Sequence, residues 1–214
     1  STQHLIIDIR NNRGGFDNIG AELFSYLIDS TWHFYDYLEA NIWKADNPFF
    51  EYSNLPQPEI DTLMTQLILE ENRQIVSQDG FELLDSTGIS NNYPSYSGKC
   101  YLLLNEHCFS GATEFATTFK VYGRGLIIGQ ETGGGFGVNC SGWIPTFTLP
   151  NSGIRLNVPL FKYVSQTYGE SYEGGVLPDI KIEECIENLF KQEDVILNTA
   201  LEQIKLEGSK NLHH

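Results

Sequence analysis

Ser110 stands where a hydroxyl could do chemistry. It follows the apolar run Cys100-Tyr101-Leu102-Leu103-Leu104 and the turn Asn105 to Phe109, and it precedes Gly111, Ala112 and a helical pattern. A hydroxyl at such a strand-to-helix turn lies beside N–H groups that the helix cannot satisfy, at the positive end of its dipole. An acyl-transfer nucleophile needs that setting, because the negative charge developing on the attacked carbonyl must be met by fixed donors. The Gly111 N–H is one candidate donor. The turn Gly14-Gly15, which closes another apolar run, is the natural source of a second. The competing reading is a plain helix N-cap, and on spacing alone that is the commoner use of such a serine.

A serine hydroxyl needs a base to become a good nucleophile at neutral pH. The chain has five histidines. His107 is close in sequence to Ser110 but reads as loop filler, His33 lies among aromatics and reads as packing, and His4 stands at the edge of the sequence. His213-His214 read as an affinity-tag remnant.

Other chemistries fit less well. Gly133-Gly134-Gly135 lacks the Lys-Ser/Thr of a phosphate loop and suits the wall of a peptide groove. Trp32, Phe34, Tyr35 and Tyr37 could stack on a sugar or an apolar side chain, but alternating aromatics more often pack a sheet. Cys100, Cys108, Cys140 and Cys185 form no C-x-x-C pair and read as buried free thiols. No metal site and no cofactor is implied.

The elements that must position these residues follow from periodicity. Leu5 to Ile9, Cys100 to Leu104 and Leu126 to Ile128 read as buried strands of a parallel sheet. Asp17 is placed to cap a helix through Ala21–Ile28, and a second helix runs from Gly111 to about Val121. Thr31 to Trp43 reads as a strand. Pro56 and Pro58 lead into an amphipathic helix carrying Ile60, Leu63, Met64, Leu67 and Ile68. Residues 77–98 read as a surface excursion. Ile144–Leu149 and Ile154–Leu160, flanking Pro150-Asn151-Ser152-Gly153, read as a β-hairpin. Lys191 to Leu206 reads as one closing helix. The expectation is an α/β fold with a largely parallel sheet, flanking helices and an antiparallel hairpin extension, spanning residues 1–208, with 209–214 as tail. In such sheets function collects in loops at the carboxyl ends of the strands, here 11–15 and 105–110.

Four segments, in order, resemble tail-specific (C-terminal-processing) serine peptidases, peptidase family 41 of the serine type. Leu5 to Gly15 is similar to L-I-L-D-L-R-x-N-x-G-G, and Phe109 to Ala116 to the nucleophile segment F-S-A-x-E-E-F-A. Gly123 to Gly135 is similar to G-R-A-x-x-x-G-E-x-T-G-G-G, and Gly175 to Ile180 to the closing G-V-x-P-D. The resemblance implies a ClpP/crotonase-like fold, Ser110 as nucleophile, Gly14, Gly15 and Gly111 as the oxyanion-hole segment, and a polypeptide substrate in an extracytoplasmic setting. Many members place a lysine base twenty-five positions after the serine, and here that position is Gly135. The tricorn-core-like branch instead takes a histidine from upstream of the first glycine loop and a glutamate near the closing motif. Glu173 is the best match for that glutamate, with Glu170 second, and the histidine segment would precede Ser1. The expectation is therefore a partial catalytic domain, inactive or nearly so by itself. The missing lysine equally admits a non-catalytic binding module on the same fold, and acyl-CoA chemistry on a crotonase-like sheet is a third, poorer fit.

Composition agrees with a folded domain and narrows the partners. Of 214 residues 41% are hydrophobic and 19% charged, which excludes general disorder. Thirteen basic against 28 acidic residues give a net charge of −15. Such a surface repels nucleic-acid phosphates and anionic lipid, so neither is an expected partner. No apolar run is long enough for membrane insertion as a helix.

Overall fold

Tyr101, Leu102, Leu103 and Leu104 are each at most 2% exposed, so the strand that carries them is covered on both faces. A strand buried on both sides belongs to a parallel sheet layered by helices. The computed structural model describes residues 2–40, 47–70, 73–77, 84, 94–140, 142–170, 173–183 and 185–210. Its elements begin β1 (His4–Asp8), α1 (Asp17–Ser25), β2 (Tyr35–Ala40), a 3-10 turn (Pro48–Tyr52), α2 (Gln57–Thr65), β3 (Leu67–Glu70) and β4 (Arg73–Val76). They continue β5 (Lys99–Leu104), α3 (Gly111–Val121), β6 (Gly125–Gly129), β7 (Val138–Asn139), β8 (Thr146–Thr148), β9 (Arg155–Asn157) and β10 (Phe161–Ser165). β11 (Ile180–Lys181), α4 (Ile186–Lys191) and α5 (Val195–Lys210) close the chain.

The chain divides into two compact units, the first made of Ser1–Ser30, Ile89–Phe136 and Thr167–His214. Its core is a four-stranded sheet of order β1-β5-β6-β11, parallel at every pairing. Side chains alternate across a strand. Tyr101, Leu103 and Ile128 therefore share one face, where they pack with Ile196 and Ala200 of α5. Cys100, Leu102, Leu104 and Ile127 point to the other face, and all four are buried. Helices α1 and α3 pack together through Phe24, Phe115, Phe119 and Tyr122. Burying one such aromatic or leucine contributes about 1.5–3 kcal/mol, so this core fixes where the strands end.

The second unit is Thr31–Gly88 with Gly137–Gln166. It holds a five-stranded sheet of order β3-β4-β2-β10-β7, whose pairings are antiparallel, and the separate hairpin β8-β9. Trp32, Phe34 and Tyr35 are at most 2% exposed and form edge-to-face pairs, which makes them core and not a ligand platform. Tyr37 lies under the Arg73 guanidinium.

Several expectations change. The helix expected to reach Ile68 stops at Thr65, because Leu67 to Glu70 pair with Arg73 to Val76 as a hairpin. The closing helix expected from Lys191 begins only at Val195, because Gln192 at φ 54° ends a separate short helix, α4, at Lys191. Ser209 and Lys210, expected in the tail, are the last residues of α5. The N-cap of α1 is Phe16, whose side chain cannot cap, so Asp17 is the first helical residue and α1 ends at Ser25, short of Ile28. All four cysteines are free thiols, but Cys140 and Cys185 are exposed. Most of 77–98, Trp43 and residues 211–214 lie outside the described residues.

Candidate active site

Strands β1, β5 and β6 run parallel and end together, so the loops that follow them meet at one edge of the sheet. Ser110 has φ 52° and ψ −134°. No broad region of backbone space open to an L-residue includes that pair of angles, and holding it costs about 1–3 kcal/mol. Its side chain makes no cap hydrogen bond. The N-cap reading therefore fails for the hydroxyl: only the Ser110 carbonyl joins helix α3, accepting its first intrahelical bonds from the N–H of Thr113 at 2.7 Å and of Glu114 at 3.0 Å. The residue is half-buried.

The first glycine turn touches this serine. Gly14 has φ +93°, and a Cβ there would lie 2.6 Å from Ser110 Cβ, 2.8 Å from the Phe109 oxygen and 2.9 Å from the Gly111 nitrogen. Only a glycine lets the two loops approach so closely. A Cβ on Gly111 would in turn sit 3.4 Å from the Gly15 oxygen and 3.6 Å from its nitrogen. The Gly14 N–H donates to Asn12 Oδ1 at 2.9 Å, so among the three glycines its amide is already engaged. Asp17 Oδ1 lies 3.3 Å from the Gly111 Cβ position, which puts a carboxylate in the first turn of α1, where the dipole favours it.

Further bonds lock the loops to one another. Phe109 N–H donates to the Asn12 carbonyl at 3.2 Å, and the Cys108 thiol to the Ile9 carbonyl at 3.1 Å. Burial pushes the Cys108 thiol pKa up, so this sulfur is a structural donor and not a competing nucleophile. On the other side, Gly134 N–H donates to the Cys108 carbonyl at 3.0 Å, and the Thr113 hydroxyl donates to the same oxygen at 3.1 Å. The Phe109 ring covers Gly133.

The segment carrying Glu173 is held by the same loop. Phe136 N–H donates to the Gly174 carbonyl at 2.9 Å, Gly175 N–H to Glu131 Oε1 at 2.7 Å, and Val176 N–H to Thr132 Oγ1 at 2.7 Å. Residues 131–136 therefore bridge the Ser110 turn and the Glu173 segment. Glu173 and Glu170 are both exposed. Sequence reasoning gave Glu131 and Thr132 no role. Their side chains act on partners 44 residues away, and no local pattern signals that.

His107 and His4, the described histidines of the first unit, both lie near other partners. His107 is more than half exposed, with Nε2 3.6 Å from Glu106 Oε1. His4 lies at the opposite end of β1, with Nδ1 3.3 Å from the Tyr101 hydroxyl. His33 belongs to the second unit. Among the described residues no group of three or more His, Cys, Asp or Glu could hold a metal ion. No described helix is long and apolar enough to cross a membrane.

A parallel sheet that presents a strained serine at a helix start, with a glycine turn packed against it, is an architecture of serine hydrolases. Residues 1–182 match the model of Peptidase family S41, and the chain belongs to that family. Among solved structures it resembles a putative peptidase from Parabacteroides merdae, at 18% identity and TM-score 0.59, over 94% of this chain and 51% of that one. A lipoprotein from Streptococcus agalactiae aligns at 21% identity and TM-score 0.51, over 97% of this chain and 56% of that one. Mature CPAF complexed with lactacystin aligns at 19% identity and TM-score 0.62, over 96% and 44%. The chain thus spans about half the length of the structures it matches.

Proposed function

We propose that this chain forms part of the catalytic domain of a serine endopeptidase, with Ser110 as nucleophile. The observation that carries the reading is the backbone of Ser110, held at φ 52° and ψ −134° at the head of α3 with Gly14 packed against it. Ser110 Oγ attacks the scissile carbonyl while a base takes its proton. The carbonyl oxygen becomes an oxyanion facing the Gly111 N–H and the Gly15 N–H, both donors at turns with no bulk in the way. Collapse of this intermediate expels the amine, which takes up the proton, and leaves an acyl-serine. Water, deprotonated by the same base, then releases the acid. Gly14 contributes close approach, its own N–H being bonded to Asn12.

The base in this proposal is a histidine from a part of the full-length protein outside this sequence, oriented by Glu173. Gly135 occupies the place where a lysine would otherwise serve. The substrate is a polypeptide, and family membership with a lipoprotein among the structural neighbours supports an extracytoplasmic setting. Gly135 is also what favours a binding module on the same fold. Casein cleavage by the full-length protein separates the two. Turnover abolished by Ser110→Ala is the expected outcome, and equal turnover in both proteins assigns the cleavage elsewhere.

A further inference from the structure

The two amides assigned to the oxyanion belong to different chain segments, so their spacing must be set by whatever joins the 11–15 loop to the 105–111 loop. Asn105, the first residue after β5, is 7% exposed. Its Oδ1 accepts from the Asn11 N–H at 2.9 Å and from the His107 N–H at 3.2 Å, with the Cys108 thiol at 3.8 Å. Its Nδ2 donates to Asn11 Oδ1 at 3.2 Å, closing a reciprocal pair between the two loops. Its own carbonyl accepts from the Cys108 N–H at 3.0 Å. One buried amide thus spends both ends of its side chain across the gap while also bracing the turn that leads to Ser110. Asn11 sits at φ 61°, a conformation asparagine tolerates better than other non-glycine residues.

We propose that Asn105 is the positioning residue that sets the distance between the Gly15 and Gly111 amides. The inference rests on the peptidase reading. An oxyanion needs each donor within about 3 Å. Catalytic groups must be held to about 0.5 Å, and a misplacement of about 1 Å costs on the order of 10²-fold in rate. Removing the Asn105 amide frees one loop to drift from the other. It also leaves the Asn11 and His107 N–H groups without that acceptor. The nucleophile itself stays in place on α3, so substrate binding is little changed while the transition state loses a donor.

The test uses the full-length protein and counts competent sites by fluorophosphonate titration of Ser110. Asn105→Ala is expected to lower kcat per titrated site by about 10²-fold, with KM within about threefold of wild type. A residue that merely supports folding would reduce the number of titratable sites and leave kcat per site unchanged. Asn11→Gly tolerates the positive φ, keeps the backbone N–H bond to Asn105 and removes the side chain with its Oδ1 acceptor, and should lower kcat per site by about tenfold. It decides the matter if Asn105→Ala does not fold. Wild-type kcat per site in Asn11→Gly, or in a folded Asn105→Ala, overturns the positioning role and leaves the peptidase reading standing. Absence of Ser110-dependent turnover in the wild type overturns the peptidase reading, and the inference with it.

Discussion

Ser110 pays for its exposure in backbone energy, and that has a measurable consequence. Glycine at this position relaxes the strained φ and alanine does not, so Ser110→Gly should be more stable than Ser110→Ala by about 1 kcal/mol. Thermal unfolding of the two variants checks this, and both should be inactive. Gly14 and Gly15 should behave differently although they are neighbours. Gly14→Ala drives a methyl into Ser110 and Phe109 at a positive φ, whereas a methyl on Gly15 meets nothing within 4 Å. A lower melting temperature and slower Ser110 labelling are expected for Gly14→Ala, with little change in melting temperature for Gly15→Ala. The spacing of serine and glycines was readable from residue types. The sign of φ at Ser110 was not, because a strand–turn–helix pattern fits a capped serine and a presented one equally.

At the scale of elements, β5 could be read from its continuous apolar run, since a strand covered on both faces leaves no room for polar residues, whereas β1, also expected to be buried, stands at the edge of its sheet and is only half-buried. Leu67 and Ile68 misled because their spacing suits a helix, and pairing with β4 overrode it. The Asn11–Asn105 contact joins residues 94 apart, which turn chemistry alone does not predict. Another long-range link fixes the end of β1. Arg10 makes paired bonds to Asp194 at 2.7 and 2.9 Å and bonds to Asp8 at 2.6 and 2.9 Å. Asp194 also accepts from the Leu197 N–H at 2.9 Å, capping α5. The guanidinium hydrogen bonds hold both carboxyls below the usual carboxylate range. Carboxyls depressed in this way stabilise the fold at pH above their unfolded values, about 3.9, and that contribution is lost as pH falls through the lower folded values. Asp194→Asn keeps the cap and removes the charge. Its melting temperature should lie below wild type at neutral pH, with the gap closing as pH drops below about 4.

At the scale of the whole molecule, the first unit holds Ser110, the proposed nucleophile, both proposed donors and Glu173, while the chain covers about half of its structural neighbours. If the base comes from the rest of the protein, the full-length protein should label at Ser110 with a fluorophosphonate on the order of 10²-fold faster, or more, than the folded 214-residue chain. Equal rates would place the base within this sequence. Glu173→Gln in the full-length protein should lower kcat by about tenfold or more, while folding and KM change little.

The most direct measurement is a crystal structure of the full-length protein with a peptidyl boronic acid, whose tetrahedral adduct stands in for the oxyanion intermediate. Boron bonded to Ser110 Oγ is predicted, with one boronate oxygen about 2.7–3.1 Å from the backbone nitrogens of both Gly15 and Gly111. Boron on another residue, or an adduct on Ser110 whose oxygens reach neither amide, would contradict the account.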